Sequence, residues 1–131
     1  MHNDIISDFA TRIRNASKVG KDTVVMQNTK IIEAIANVMV AEHYLESATL
    51  EKQENGRDLL TVKLNYVAGS PAINSIKRIS KPGVRIYKKG HELSRVLSGL
   101  GIGIVSTSQG IMSNKTCIKQ NLGGEVLLEL W

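Results

Sequence analysis

The chain has 131 residues, of which 42% are hydrophobic, and a formal net charge of +5 at pH 7. This length suits one ordinary domain or two small ones, and the hydrophobic fraction argues against a disordered protein. No apolar run approaches the roughly 20 residues that cross a bilayer, and no signal or transit peptide is recognisable at the start. The single cysteine, Cys117, excludes an intramolecular disulfide. We therefore expect a soluble protein that works in a reducing compartment where it is made.

The positive charge is concentrated in the second half of the chain. Residues 1–70 contain eight Lys or Arg and nine Asp or Glu, whereas residues 71–131 contain nine and three. No acidic residue occurs between Asp58 and Glu92, although seven basic residues do. A strongly positive surface attracts a polyanion, so we expect the C-terminal half to bind nucleic acid. Basic side chains that only solvate a strand face are the alternative.

The first half is predicted to form an α-β-α-β-β layer. Apolar residues at spacings of three and four predict a helix of about a dozen residues after a cap at Asn3. A second helix is predicted from a cap at Asn28 or Thr29 to about His43. The strands that these helices cover are predicted at residues 23–27, 48–51 and 59–64.

Polar side chains cluster at the end of the first helix. They include Thr11, Arg14 and Asn15. Arginine at this position complements the helix dipole and satisfies terminal carbonyl groups, so the cluster by itself predicts only a stable helix end.

The Ala68–Pro71 segment interrupts the pattern where the charge changes, so we predict two small domains, residues 1–68 and residues 69–131. The second is predicted to be a mixed β-sheet with short helices, which makes the whole chain an α/β (α+β) protein. Its strands are predicted at residues 73–79, 84–87, 101–105 and 125–131, and its short helices at residues 92–97 and 113–120.

A turn in the basic region presents an aromatic residue. Proline followed by glycine in Lys81–Gly83 predicts a type II turn that reverses the chain into the next strand. Alternation along that strand places Arg85 and Tyr87 on one face. Such a tyrosine is a stacking platform for a base or ribose, and it equally suits the rim of a sheet.

The predicted strand at residues 101–105 ends in the sequence Ser106-Thr107-Ser108-Gln109-Gly110. Each hydroxyl offers one donor and two acceptor sites without net charge, which suits sugar edges, base edges or phosphate. Turn formation is the other role open to these residues.

Catalytic and metal-binding patterns are weak. The glycines at positions 99, 101 and 103 precede a strand, whereas a dinucleotide-binding loop follows a strand and opens a helix. No histidine is close in sequence to Ser106–Ser108 to act as a base, and the three histidines lack ligand spacing. Lysines near Cys117 favour the thiolate, but a lone cysteine is more often a packing residue.

Five motifs in order along almost the whole chain resemble the small-subunit ribosomal protein eight family, of bacterial and organellar type. The motifs are residues 8–16 (DFATRIRNA), 78–87 (RISKPGVRIY), 99–102 (GLGI), 105–112 (VSTSQGIM) and 123–126 (GGEV), with a terminal Trp131.

The resemblance implies a two-domain α/β protein that binds the central domain of small-subunit rRNA early in assembly of the subunit platform. It implies neighbouring small-subunit proteins as further partners and no catalytic activity, cofactor, small-molecule substrate or membrane association. The protein would lie in ribosomes of the bacterial cytoplasm, plastid stroma or mitochondrial matrix.

The resemblance also assigns site residues. The serine-rich loop would dock in the shallow minor groove of a distorted RNA helix, next to aromatic and basic contacts, with a second RNA or protein surface in the N-terminal half. The loop residues are Ser106, Thr107, Ser108, Gln109 and Gly110; the neighbouring contacts are Lys81, Pro82, Arg85, Tyr87, Lys88 and Lys89; the second surface comprises Thr11, Arg14, Asn15 and Lys30; and Gly124 and Glu125 would hold the site together.

The sequence departs from the family pattern at three places. Gln109 stands where relatives usually carry Lys or Arg, so one phosphate contact is expected to be missing. The Asn114–Lys119 segment stands where relatives usually carry the pattern Asp-Arg-x-Ala-Arg, and Gly103 replaces a commoner alanine. A basic adaptor that binds an acidic protein through its face or its apolar C-terminal strand, and a small enzyme, are the rival classes.

Overall fold

The computed structural model describes residues 4–93 and 96–131, and it divides the chain into two compact units. One unit is Thr11–Ile73, and the other joins the described residues up to Ala10 with Asn74–Trp131. The start of the chain thus groups with the C-terminal half. The predicted domain boundary between residues 68 and 69 stays a prediction.

The unit Thr11–Ile73 contains the predicted α-β-α-β-β elements. They are α1 (Ile5–Val19, which starts in the other unit), β1 (Thr23–Gln27), α2 (Lys30–Ala41), β2 (Leu45–Glu51) and β3 (Leu59–Leu64), followed by the two-residue strands β4 (Tyr66–Val67) and β5 (Ser70–Pro71). The main sheet is antiparallel in the order β1-β3-β2. Thr29 caps α2, because its hydroxyl accepts a hydrogen bond from the Ile32 N–H. The α-β-α-β-β order of this unit is confirmed.

Helix α1 begins at a carboxylate cap. The Asp4 side chain accepts a hydrogen bond from the Ser7 N–H at 3.1 Å, and the Ser7 hydroxyl donates to the same carboxylate. An N-cap of this kind satisfies donors that the first helical turn leaves unpaired. The predicted cap, Asn3, lies outside the described residues.

The C-terminal unit is built around a five-stranded sheet. Its elements are β6 (Ile76–Arg78), β7 (Tyr87–Lys88), β8 (Ile102–Thr107), β9 (Gly110–Ser113), α3 (Asn114–Gln120) and β10 (Gly124–Leu130), with 3₁₀ helices at Gly90–Glu92 and Val96–Gly99. The strand order is β6-β10-β8-β9, and β7 also pairs with β10. Every strand pairing described is antiparallel, so the sheet is antiparallel rather than mixed. The apolar β10 is an inner strand, which explains why its central residues are buried.

Several predicted elements of this unit differ in detail. The strand predicted at residues 84–87 begins only at Tyr87, and the strand predicted at residues 73–79 is limited to β6. The type II turn is wrong, because Gly83 does not adopt the positive φ that this turn requires. Proline followed by glycine is compatible with other turns, so these residues alone do not select the turn type. Two 3₁₀ helices flank the helix predicted at residues 92–97, of which residues 94 and 95 lie outside the described residues.

Candidate nucleic-acid interface

The serine-rich loop is a two-residue hairpin connection between β8 and β9. Thr107 pairs with Gly110, and Ser108 and Gln109 form the exposed tip. The Thr107 hydroxyl donates to the Gly110 carbonyl at 2.8 Å and accepts from the Gln109 N–H at 3.1 Å. Gly110 has a φ of +113°, which favours glycine at this position. Turn formation therefore accounts for Thr107 and Gly110.

The two serines of the loop have a different environment. Ser108 is exposed and Ser106 is half-buried. Within the described part of the chain, neither side chain has a hydrogen-bond partner. Hydroxyl groups that are accessible and not engaged within the protein are available for an external ligand.

One row of side chains crosses three strands of the sheet and consists of Tyr87, Glu125 and Ser106. Glu125 of β10 lies opposite Tyr87 of β7 on one side and opposite Ser106 of β8 on the other. Residues directly opposite each other in an antiparallel sheet project from the same face. The row therefore brings the tyrosine, which is 69% exposed, to the same face as the first loop hydroxyl.

A hydrogen-bond network is centred on Glu125, the middle residue of this row. The Ser80 side chain is fully buried; its hydroxyl donates to the Glu125 carboxylate and accepts from the Ile86 N–H at 3.1 Å. The Arg85 guanidinium donates to the same carboxylate at 3.0 Å. These contacts connect the segment before the Lys81–Val84 turn, the segment after it and strand β10. We call Ser80, Arg85 and Glu125 the Glu125 cluster.

The Glu125 cluster favours an ionised carboxylate. Burial by itself raises the pKa of Glu125, but the hydrogen bonds from Ser80 and Arg85 and the positive charges of Arg85 and Arg78 outweigh burial, so the pKa is lowered. The hydrogen bond to Glu125, followed by its negative charge, raises the pKa of Arg85. The cluster is thus an ion pair at neutral pH.

Glycine at position 124 allows β10 to approach β8 next to the loop. A Cβ atom there would lie 2.0 Å from the Ser106 carbonyl oxygen and 2.9 Å from its carbon. A Cβ on Gly123 would lie 2.5 Å from the Lys88 carbonyl oxygen. The glycine pair therefore brings the backbone of β10 against both β8 and the segment after β7, as a residue that supports the predicted site would do.

Exposed basic residues flank Tyr87 along the chain. Lys81, Lys88 and Lys89 are exposed, as is Pro82 at the turn. The turn is closed by reciprocal backbone hydrogen bonds of 2.9 and 3.0 Å between Lys81 and Val84. Beside Tyr87 lies an open groove of about 610 Å³, lined by residues that include Lys88, Lys89, His91 and Asn121. His91 and Asn121 were not predicted as site residues, and no sequence motif indicated them.

The predicted second surface belongs to the unit Thr11–Ile73. Thr11 and Asn15 are exposed and one helical turn apart on α1, so they share a face. Arg14 is half-buried on the same helix, and Lys30 is the exposed first residue of α2.

The divergent segment has structural roles. The Asn114 side chain is buried and accepts a hydrogen bond from the Gly103 N–H at 2.9 Å. A Cβ on Gly103 would lie 3.5 Å from the nearest atom, so an alanine would fit at this position. Cys117 is fully buried, and burial raises the pKa of its thiol. A thiol in this environment is a packing group rather than a nucleophile.

Other kinds of site find no support in the described residues. They contain no group of three or more His, Cys, Asp or Glu side chains arranged to hold a metal ion. None of their helices combines the length and hydropathy needed to span a bilayer. Strand β10, which the adaptor hypothesis used, is paired on both sides with other described strands.

Comparison with known proteins identifies the family. The family model described as ribosomal protein S8 matches residues 4–131. Small ribosomal subunit protein uS8 of Neisseria meningitidis is 46% identical over 127 residues, covering 97% of this chain and 95% of the relative. The protein of the same name from Crocosphaera subtropica is 45% identical and covers 98% of both chains. That from Hydrogenovibrio crunogenus is 44% identical, covering 95% of this chain and 94% of its own. The chain belongs to the ribosomal protein S8 family.

Proposed function

We propose that this protein is a structural component of the small ribosomal subunit that binds the central domain of the small-subunit rRNA and assists assembly of the platform. The observation that carries this proposal is the pair of serine hydroxyls, Ser106 and Ser108, which have no hydrogen-bond partner among the described residues, with Ser106 in the same cross-strand row as the exposed Tyr87. Membership of the ribosomal protein S8 family supports it. The protein has no catalytic activity and requires no cofactor in this role.

Binding has an electrostatic part. Exposed basic residues lie in the turn before Tyr87 and in the strand and segment that follow it, namely Lys81, Arg85, Lys88 and Lys89. Cations at such a surface release counterions from RNA phosphates, so they contribute affinity that falls with salt. This attraction does not depend on the RNA sequence. Gln109 leaves the loop tip without a charge of its own.

Placement on the RNA comes from the uncharged groups. The minor groove of an RNA helix is wide and shallow and displays ribose hydroxyls and base edges. Ser106 and Ser108 can both donate to and accept from these groups. Tyr87 offers a face on which an unstacked base or a ribose packs. Gly124 and the Glu125 cluster keep these residues in position.

A second contact surface lies on the other unit. Thr11, Arg14, Asn15 and Lys30 would contact rRNA or a neighbouring small-subunit protein. The protein would accordingly be found in ribosomes, either in a bacterial cytoplasm or in a plastid or mitochondrion.

Substitution of Ser108 tests the loop contact. Ser108→Ala is expected to weaken binding to an rRNA central-domain fragment by roughly 1 to 3 kcal/mol, because a polar RNA group loses its partner. Filter binding at fixed salt measures this loss. Ser70→Ala, which changes an exposed serine in the other unit, is the matched control. Equal affinities for Ser108→Ala and the wild type would contradict the loop contact.

Substitution of Lys88 tests the electrostatic part. Lys88→Ala is expected to make the plot of log affinity against log salt concentration less steep by about one unit of slope, with little loss of selectivity between RNA sequences. An unchanged slope would exclude a phosphate contact at this residue.

Sedimentation tests the function as a whole. The tagged protein should co-sediment with small ribosomal subunits in a sucrose gradient and stay with them at a salt concentration that removes loosely bound proteins. Sedimentation as free protein would contradict the proposed role and favour the adaptor or the enzyme.

A further inference from the structure

Strand β1 has an open edge. It lies at one end of the strand order β1-β3-β2, and no described strand pairs with its outer side. The Leu64 N–H donates to the Asp22 carbonyl at 2.8 Å and the Asn28 N–H donates to the Asp58 carbonyl at 2.9 Å, one bond at each end of the β1–β3 ladder. Hydrogen-bonded pairs alternate along an antiparallel ladder. The even-numbered residues of β1 therefore bond to β3, and the backbone groups of Thr23, Val25 and Gln27 face the open edge.

The other edge of the same sheet is protected in a way that β1 is not. Natural proteins prevent edge-to-edge pairing with charged residues, proline or β-bulges. Strand β2 carries exposed Glu46 and Glu51 and has a register shift between Leu45 and Ser47. Strand β1, with the sequence TVVMQ, has no charged residue and no proline, and its register with β3 is regular. The sequence of β1 therefore leaves its edge competent to pair.

A groove of about 510 Å³ follows this edge between α1 and β1. Val19 and Val25 contribute to its lining, and they are 70% and 49% exposed. Arg12 and Lys21 also line it, and none of the acidic residues that the structure describes does. An RNA strand would neutralise the cations, but it would not form a β-ladder with the outward N–H and C=O groups of β1 or cover the exposed valines. An extended peptide with apolar side chains and a carboxylate matches all three features.

We propose that β1 accepts an additional β-strand from a neighbouring small-subunit protein, supplied by an extended segment that carries apolar residues and at least one Asp or Glu. Its backbone pairs with the outward groups of Thr23, Val25 and Gln27, its apolar side chains cover Val19 and Val25, and its carboxylate lies near Lys21. The inference rests on the proposed function, because the partner is a component of the same subunit.

Proline substitution distinguishes the two edges. Val25→Pro removes an N–H that faces the open edge and does not bond to β3, and proline is tolerated at such positions in edge strands. The control is Ala48→Pro on β2. The even-numbered residues of β3 bond to β1, so its odd-numbered residues bond to β2. Thr49, opposite Thr61, therefore bonds to β3, and the N–H of Ala48 faces the outer edge of β2. Each variant thus loses one outward N–H, from an unprotected and a protected edge respectively.

The experiment uses whole subunits. Gln27→Cys is labelled with a benzophenone maleimide, which Cys117 does not compete for because it is buried. Subunits are reconstituted from rRNA and the complete set of small-subunit proteins, irradiated, and the cross-linked peptide is identified by mass spectrometry. We expect one acid-containing segment of another small-subunit protein. We expect Val25→Pro to lower the yield by about tenfold or more and Ala48→Pro to leave it unchanged.

Several outcomes would overturn the proposal. These are cross-links only to rRNA or to a second copy of this chain, no cross-link, or equal yields in the two proline variants. If Val25→Pro fails to fold by circular dichroism, Val25→Glu replaces it, because an exposed charge of the same sign as the partner's carboxylate discourages edge pairing without a backbone change. Binding to the rRNA fragment is measured in parallel. A wild-type protein that binds RNA and enters subunits without a cross-link contradicts only the strand proposal, whereas failure to bind or enter contradicts both.

Discussion

Two clusters in the C-terminal unit consist of the same three groups, a carboxylate, a serine hydroxyl and an arginine guanidinium. The clusters comprise Asp4, Ser7 and Arg78, which we call the Asp4 cluster, and Ser80, Arg85 and Glu125, the Glu125 cluster. In both, burial raises the pKa of the carboxyl group, and hydrogen bonds and nearby positive charge lower it further than burial raises it. Their local chemistry is therefore nearly equivalent.

The clusters differ in what surrounds them. Arg78 has a side chain only 8% exposed, and Nε lies 3.3 Å from Asp4 Oδ2, so this cluster joins the cap of α1 to β6. The side chain of Arg85 is 47% exposed, and Glu125 is the cross-strand neighbour of Tyr87 and Ser106. The same three groups thus stabilise a helix start in one place and support the proposed RNA-binding surface in the other. Position in the sheet, not composition, separates the two roles.

The largest expected effect comes from the glycine beside the Glu125 cluster. Gly124→Ala places a Cβ 2.0 Å from a backbone oxygen of β8, so the two strands must separate. We expect a loss of about 3 kcal/mol in the free energy of unfolding, measured by urea denaturation. Gly103→Ala, on the same pair of strands, meets its nearest atom only at 3.5 Å and should be neutral or stabilising. Similar midpoints for the two variants would mean that the close approach at Gly124 has no energetic importance.

Loss of the carboxylate in the Glu125 cluster should affect binding as well as stability. Glu125→Gln leaves the buried Ser80 hydroxyl with a weaker partner and Arg85 without its counter-charge. We expect the free energy of unfolding to fall by about 1 to 2 kcal/mol and rRNA affinity to fall by about tenfold. Denaturation and filter binding on the same preparation measure both. An unchanged affinity in a folded variant would show that the cluster does not position the loop and Tyr87.

The corresponding change in the Asp4 cluster should affect stability alone. Asp4→Ala removes the cap of α1 and the counter-charge of the largely buried Arg78, so it should cost about 1 to 2 kcal/mol in the free energy of unfolding, with rRNA affinity unchanged. Asp4→Asn keeps a good capping side chain and should lose less. If Asp4→Ala weakened RNA binding as much as Glu125→Gln does, the distinction between the two clusters would fail.

Acid should weaken both clusters. The ordinary pKa values are 3.8 for Asp4 and 4.5 for Glu125, and both are lowered in the fold. The unfolded chain then binds protons more readily than the folded one, so the stabilisation is complete above these values and is lost as pH falls through the lowered pKa values. We expect the free energy of unfolding to be smaller at about pH 3 than at about pH 6. This decrease between the two pH values should be smaller in the double variant Asp4→Asn, Glu125→Gln than in the wild type. An equal difference in the wild type and the double variant would rule out these carboxylates as the source.

Local patterns in the sequence were sufficient for much of the architecture. The spacing of apolar residues predicted α1 and α2, β-branched runs predicted β1 and β3, and the change from apolar to hydroxyl residues located the loop after β8. Each of these patterns depends on neighbours within a few positions, because helix and strand periodicities are properties of a short segment. The family motifs and the charge asymmetry are likewise readable without a structure.

The tertiary structure decided the features that depend on pairing between distant residues. Ser80 lies within the motif of residues 78–87, but no local pattern indicated its role, which follows from its contact with Glu125, 45 positions away. The row of Tyr87 and Ser106 exists because β7 and β8 pair with opposite sides of β10, and the open edge of β1 follows from the strand order and the phase of its hydrogen bonds. Register and strand order arise from long-range packing, to which each residue contributes only part of the energy, so no local pattern contains them.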